Sequence, residues 1–435
     1  PVTSQKPQQV TSQKHPERQP ERQPEPVFFA NEIVNLTPQQ QMQNLFEKLC
    51  KKHIVPSNAK FFGKITSKEL NLKNSSLQED AVRIALKVAT LNRELKVINL
   101  EGNRLGARGM KTLINLITNK RPELRKSLTT LSLSKNPIRM GNVASEKTNF
   151  SALLAALPAL SSLEQLDLSY IPFSQSEKGV LFETLGKLKN LKILKLKGCN
   201  LDSFEVKALN RSLQKLKLSC NQLNQQTFKD IFLSGSLESV AVLDLSSQRY
   251  PSNQESYYQG ASNDMDIEKS AEESMSGRFP KIICLKMRNL DFDSLASVVR
   301  EERFSEMIAA LKVLDLSGST STKAFFESSS NYFYTNKFSG IRVVMNIRKF
   351  KYQKGDFTDD ETATELKKFL VSLQNVEKID LSYSRFNDEL CEKLPDDLVM
   401  FNSSLRKLDV RGVQLKYNFQ SRILSNIPGI VLKED

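Results

Sequence analysis

Half of this chain's net charge of +14 falls between residues 187 and 217, which hold nine basic side chains and two acidic ones. Clustered ammonium groups do one kind of chemistry well: they hold an acidic protein surface or a phosphate-bearing ligand by charge. Lys195, Lys197, Lys215 and Lys217 are the candidates, with Asp167 before them and Asp244 and Lys286 after. The two aspartates also support the opposite reading, in which they neutralise the lysines and leave an ordinary solvated face.

Bond-breaking chemistry has few participants. His15 lies in a polar tail and His53 in a helical segment, so no histidine of the central region can act as a general base. Neither a G-x-x-x-x-G-K-[ST] phosphate loop nor an H-E-x-x-H zinc pair occurs. Cys50, Cys199, Cys220, Cys284 and Cys391 are odd in number, far apart and never spaced C-x-x-C, which points to a reducing compartment rather than a disulfide framework or zinc site. No catalytic residue, cofactor or metal ligand is assigned, and an enzyme is not expected.

A second basic group, Arg342, Arg348, Lys349, Lys351 and Lys354, interleaves with Phe350 and Tyr352. Nucleic-acid surfaces use this mixture, with phosphates on cations and bases stacked on rings. No recognised nucleic-acid module accompanies it, so the two rings are expected in the core of an irregular repeat and nucleic acid is not the expected partner. Upstream, Phe325, Phe326, Tyr332, Phe333, Tyr334 and Phe338 are expected to build a local core rather than an exposed contact patch.

The elements that place these residues come from a phrase used eleven times: apolar, two variable residues, apolar, one variable residue, apolar, as in Leu95 to Leu100 and Leu163 to Leu168. Its last apolar residues are Leu72, Leu100, Leu133, Leu168, Leu196, Leu218, Leu245, Met287, Leu316, Leu381 and Val410. Five of the ten intervals are 27 to 29 residues. That length holds a short strand, a turn and a helix, whereas a period nearer 20 forces an extended or 3₁₀ return.

Side chains alternate along a strand, so the residue between the last two apolar positions points away from the core. Down the chain this column reads Asn71, Asn99, Ser132, Asp167, Lys195, Lys217, Asp244, Lys286, Asp315, Asp380 and Asp409. Lys195 and Lys217 are neighbours in it, and Lys197 and Lys215 share their face. Asn103, Asn136 and Asn221 recur where the chain leaves the strand, where an amide can satisfy turn backbone groups in both directions. Ile171, Leu290 and Val413 take the same slot without that ability, so irregular turns are expected there.

Residues 1–26, with six Pro and six Gln, are expected to be a disordered tail. Thr37-Pro38-Gln39-Gln40 then predicts a helix start, and a cap over residues 27–64 should seal the first repeat. The repeats occupy 65–435 as one right-handed domain of eleven or twelve units, with outer helices such as 81–91, 110–117 and 151–157. Two intervals are too long. The first holds a mobile insert, 248–277, whose Asp264, Asp266, Glu268, Glu272 and Glu273 could fold over the lysines, and the sequence leaves open whether they mask them. The second holds an irregular segment, 319–375, where Ile341, Val343, Met345 and Ile347 alternate as a hidden twelfth strand would. Ile427 to Leu432 repeats the phrase once more as a terminal half-unit. No run of 18 apolar residues and no charged-then-apolar leader is present in the sequence, which opens on Pro1 and so leaves open whether a leader or upstream region precedes it.

At Asn103-Arg104-Leu105-Gly106-Ala107-Arg108-Gly109 the sequence resembles the ribonuclease-inhibitor-like subfamily of leucine-rich-repeat proteins, whose units continue Asn-x-apolar-Gly-x-x-Gly into the helix. Leu166-Asp167-Leu168-Ser169, Leu314-Asp315-Leu316-Ser317 and Ile379-Asp380-Leu381-Ser382 fit the same pattern, and the resemblance spans 65–432. It implies an α/β solenoid, a horseshoe with a concave parallel sheet and convex helices. The subfamily includes nuclease inhibitors, the Ran GTPase-activating protein, innate immune sensors and bacterial effectors delivered into host cells, and no functional residue carries over. With a net charge of +14, the expectation is a monomeric, non-catalytic scaffold in the cytoplasm, possessed of a concave face that binds an acidic protein partner, as an effector in a host cell would. The alternatives are a GTPase regulator of the Ran-activator type and a binder of nucleic acid or anionic lipid.

Overall fold

Each strand of the main sheet is three residues long and centred on one apolar side chain, because only that residue reaches the core while its two neighbours turn away. The computed structural model describes residues 36–433 apart from 58, 66–67, 93, 119–121, 139–143, 235–236, 238, 249–281, 339–344, 416–417 and 428–429. The polar tail, nearly all of the acidic insert, masking role included, and Ile341 and Val343 lie outside them.

Thirteen parallel strands stand in chain order. They are β1 (Glu69–Asn71), β2 (Val97–Asn99), β3 (Thr130–Ser132), β4 (Gln165–Asp167), β5 (Ile193–Lys195), β6 (Lys215–Lys217), β7 (Val242–Asp244), β8 (Cys284–Lys286), β9 (Val313–Asp315), β10 (Lys349–Lys351), β12 (Lys378–Asp380), β14 (Lys407–Asp409) and β15 (Val431–Lys433). Two short strands, β11 (Asp356–Phe357) and β13 (Arg385–Phe386), pair separately. The return segments include helices at Glu79–Ala89, Gly106–Thr118, Ala144–Ala156, Gln175–Lys187, Asp360–Ser372 and Asp388–Phe401. One continuous core joins strands to helices from Met42 to Ile430. The chain is an α/β leucine-rich-repeat solenoid. Between β5 and β6 the interval is only 22 residues, and there the return is a single 3₁₀ turn, Val206–Ala208, as a short period requires.

The amino-terminal helix, Pro38–His53, begins with the predicted capping box: the Gln40 N–H donates to Thr37 Oγ1 at 3.3 Å and the Thr37 N–H to Gln40 Oε1 at 2.9 Å. Met42, Phe46 and Cys50 are buried, and Phe46 meets Phe61 edge-on at 5.0 Å. This face covers the core of the first repeat.

Two residues after each strand's last core residue the backbone turns left-handed, from Asn74 and Gly102 through Tyr170, Cys220 and Asn289 to Tyr383 and Gly412. Side chains other than glycine are tolerated because this residue's N–H donates to the next unit: Lys135 to the Ser169 carbonyl at 2.9 Å, Cys220 to that of Ser246 at 2.8 Å. Glycine is required where the neighbouring unit brings a ring close. A Cβ on Gly198 would lie 2.8 Å from Tyr170 Cδ1, and one on Gly412 2.5 Å from Tyr383 Cδ1.

The asparagine column behaves as its chemistry demands. Asn221 Nδ2 donates to the carbonyls of Leu196 and Leu218 at 2.8 and 2.7 Å, and its Oδ1 accepts from the N–H groups of Cys199 and Leu201 at 2.9 and 3.1 Å. Gln248, Ser319 and Ser384 do the same work with other side chains: Ser384 Oγ donates to the Tyr352 carbonyl at 3.0 Å and accepts from the Gly355 N–H at 3.0 Å. The expected irregularity at Ile171, Leu290 and Val413 is not found in the backbone. Tyr170, Asn289 and Gly412 keep the left-handed turn: the Tyr170 and Asn289 N–H groups donate to the Lys197 and Ser317 carbonyls of the next unit at 2.6 and 3.0 Å, and glycine takes this conformation freely at 412.

The hidden twelfth unit exists, and its strand is β10, Lys349–Lys351; Met345 and Ile347 of the alternating stretch are described and precede that strand. Its frame is Ile347-Arg348-Lys349-Phe350-Lys351-Tyr352, with Ile347, Phe350 and Tyr352 buried. Tyr352 takes the place leucine holds elsewhere. Its hydroxyl donates to the Ser319 carbonyl at 2.8 Å and shares a hydrogen bond with Thr322 at 3.0 Å, which lets a polar tip sit in the core. Phe325, Phe326 and Phe333 are buried in the common core rather than in a separate one.

The terminal strand also differs from the reading by spacing: Leu432 faces Leu408, not Val410. This is a two-residue shift, which preserves the inward and outward faces.

Candidate interaction surface on the inner sheet face

Two rows of side chains look away from the core on the inner face, one on either side of each strand's buried centre. The row nearer the strand end runs Asp167, Lys195, Lys217, Asp244, Lys286, Asp315, Lys351, Asp380, Asp409 and Lys433 from β4 to β15, each directly opposite the next. Strands lie about 4.8 Å apart, so neighbours in this row interact. Charges alternate along it except at Lys195–Lys217 and Asp380–Asp409.

The sheet brings the predicted site residues together. Lys195 Nζ lies 3.5 Å from Asp167 Oδ2, and Lys217 faces Asp244 across the strand gap. Lys215 flanks the buried Leu216 on the same face as Lys217. Lys197, just past β5, places Nζ 5.6 Å above the Tyr170 ring, with Lys135 5.9 Å from the same ring. Burial pulls the Lys197 ammonium down, but Tyr170, Cys220 and Asp244 outweigh it and hold its pKa above the ordinary lysine value.

The expectation that every residue of this row faces solvent fails in the middle of the array. Lys286 is 1% exposed and Asp315 0%, and Asp167 and Asp244 are also buried. Lys286 stands in register between two aspartates, with Arg288 Nε 3.9 Å from Asp315 Oδ2, so side chains of adjacent strands cover one another. Asp315 Oδ1 accepts from the Ser317 N–H at 3.0 Å, but burial dominates and raises its pKa. Beside this cluster the other row is apolar, with Val242, Cys284 and Val313 buried together.

Reading one column missed the groups just past the strands. Glu101 sits between Lys73 and Lys135 at 3.0 and 3.2 Å. Burial raises its pKa, yet the two lysines overcome that and leave it below the ordinary carboxylate value. Tyr170 and Arg288 were likewise missed, and a reading of the first and second positions after each strand's last core residue would have found all three. Lys351 was missed because Tyr352 is not the aliphatic residue the phrase calls for.

Among the described residues no group of three or more His, Cys, Asp or Glu is placed to hold a metal ion, and no helix is long and apolar enough to cross a membrane. Four of the five free thiols are buried and Cys220 is partly exposed. Burial raises the pKa of both Cys199 and Cys220. A thiol reagent is therefore expected to modify the native protein at Cys220 alone, slowly at neutral pH, and all five cysteines after denaturation; a second fast native thiol would contradict the burial described.

No family model and no curated protein matches the sequence. Solved structures that align with it include an internalin, InlF, of Listeria monocytogenes strain 4b F2365, at 12% identity over 93% of this chain and 98% of that one, with a TM-score of 0.41. A chain of the yeast Rad7 and Elc1 complex aligns at 14% identity over 92% and 89%, with a TM-score of 0.43. A leucine-rich-repeat protein of Leptospira interrogans aligns at 13% identity over 87% and 98%, with a TM-score of 0.30. The assignment of this chain to the repeat architecture rests on its own strand register and continuous core.

Proposed function

We propose that the chain is a non-catalytic scaffold whose inner face docks a protein partner with an acidic surface, at Lys195, Lys197, Lys215 and Lys217 between Asp167 and Asp244. The observation that carries this reading is the register of β5 on β6, which sets Lys195 directly against Lys217. Like charges directly opposite destabilise a sheet, and most of the row avoids them by alternation. A partner carboxylate between the two ammonium groups turns that repulsion into attraction. Lys286, in the same row, is buried in register between Asp244 and Asp315 and lies beneath this surface rather than on it.

Action as an effector inside a host cell, or as a regulator of a small GTPase, follows from the resemblance of the repeat phrases. The test is affinity capture with the wild-type chain beside a K195E/K197E/K215E/K217E variant shown to be folded by circular dichroism. A partner retained by the wild type should bind the variant about tenfold or more weakly. Equal retention would overturn the proposed site. Stimulated hydrolysis by a candidate GTPase would favour the regulator instead, and binding of RNA or anionic vesicles that falls steeply with salt would favour the phosphate-bearing ligand.

A further inference from the structure

The end of the amino-terminal helix carries a second basic surface. Residues 48–68 hold six lysines and one histidine and no aspartate or glutamate. Lys48, Lys51 and Lys52 lie three and four residues apart, so they share the side of the helix turned away from the buried Met42, Phe46 and Cys50, and all three are exposed. Among the described residues no ion pair joins any of them to a carboxylate. Glu47, one turn before Lys51, accepts from Gln43 Nε2 at 3.1 Å. On the next helix Glu79 pairs with Arg108 at 3.1 Å and Asp80 with Arg83 at 2.6 Å.

Cations in the last turn of a helix also satisfy its carbonyl end, and that alone accounts for Lys51, Lys52 and His53. It does not account for the residue that follows. Ile54 is 94% exposed, and among the described residues no large apolar side chain is more so. Its backbone is left-handed, with φ 55° and ψ 39°, and its N–H donates to the Cys50 carbonyl. That conformation suits glycine and strains a β-branched side chain. Folding gains nothing from isoleucine here, because the side chain buries almost no surface and glycine would close the helix better.

We infer that Lys48, Lys51, Lys52 and Ile54 form a docking site for the surface of a bilayer that contains anionic lipid. Ammonium groups on long flexible stems meet the lipid phosphates, and the isoleucine between them enters the acyl boundary. Attachment of this kind is peripheral and uses no spanning segment. An acidic protein fits less well: Val55, the next residue, is partly buried against the core, so the apolar surface offered is one large side chain, less than the centre of a protein interface uses. Nucleic acid has no apolar layer to receive Ile54, and single strands bind on rings free to stack. Phe46 and Phe61 are buried, and Phe62 rests on Phe46 with centroids 5.4 Å apart.

The test is co-sedimentation of the full chain with vesicles of phosphatidylcholine alone and of phosphatidylcholine mixed with phosphatidylserine. Binding is expected to the mixed vesicles only, and should weaken as salt is added. A K48Q/K51Q/K52Q variant should bind about tenfold more weakly. An I54G variant should bind about threefold more weakly yet melt at a higher temperature than the wild type, because glycine takes the left-handed turn without strain. An isoleucine of purely structural use predicts the reverse, a lower melting temperature with unchanged binding. A K195Q/K197Q/K215Q/K217Q variant should retain most of the affinity, which separates this site from the one proposed above. The inference is overturned if the wild type does not sediment with the mixed vesicles, if the K48Q/K51Q/K52Q variant binds as the wild type does, or if the I54G variant binds as the wild type does or melts below it. It is also overturned if the four lysines of β5 and β6 account for the binding, or if a polyglutamate peptide or a single-stranded RNA binds more tightly than the vesicles and shares the dependence on Lys48, Lys51 and Lys52.

Discussion

Replacing Asn221 by Val should destabilise the chain by about 4 kcal/mol, since each buried polar group left unpaired costs roughly 1–3 kcal/mol. The substitution keeps a small side chain in the slot but abandons the Leu196 carbonyl and two N–H groups, of Cys199 and Leu201, while the Leu218 carbonyl keeps its bond from Gln248 Nε2 at 2.8 Å. All four belong to the turns that join β5 and β6 to their return segments, so the damage reaches the strands carrying Lys195 and Lys217. Asn221→Ser should cost about half as much, because Ser319 and Ser384 show that a hydroxyl in this slot satisfies one carbonyl and one N–H. Urea unfolding followed by circular dichroism measures both. A repeat array can open locally, so the loss should show as an early shoulder as well as a shifted midpoint. Equal losses for the two variants, or a loss below about 1 kcal/mol for valine, would mean that the amide is not what holds the turn.

The second large effect is expected at Phe325. Its ring, 0% exposed, has its centroid 5.2 Å from that of Phe292, 5.9 Å from Phe304, 5.5 Å from Phe326 and 6.0 Å from Phe369. These rings belong to three return segments between β8 and β12, so one side chain ties several units together. Phe325→Ala should cost about 3–5 kcal/mol through lost burial and the cavity left behind, and Phe325→Leu roughly 1–1.5 kcal/mol. Calorimetry gives the totals. Hydrogen exchange locates them, because amides in β9 and β10 should lose protection while those in β1 to β3 keep theirs. Uniform loss along the chain would mean that the array unfolds as one unit.

Much of the architecture was legible because a repeat states its rule many times. The spacing of Leu95, Ile98 and Leu100 requires a strand whose neighbours face outward, and one such unit predicts the next. The repeat rule assigns a helix to every unit, and the 3₁₀ return after Leu196 departs from it because that interval is only 22 residues. The twelfth unit was displaced because Tyr352 hides in a leucine position, and aromatic residues there become acceptable only when a hydroxyl acceptor such as the Ser319 carbonyl is present across the fold. Spacing alone does not report that acceptor.

By itself, the sequence determined the period, the inward and outward assignment of the residues in the eleven strands that follow the phrase, the turn asparagines and the grouping of Lys195, Lys197, Lys215 and Lys217, since each follows from local geometry. Only the tertiary structure decided which charges stand opposite one another. Register placed Lys286 between Asp244 and Asp315 and buried it, and it aligned Lys349, Lys378 and Lys407 into a row. The reason is physical: alternation is a property of a single strand, whereas neutralisation and exposure are properties of neighbours about 4.8 Å away that belong to other units of the chain.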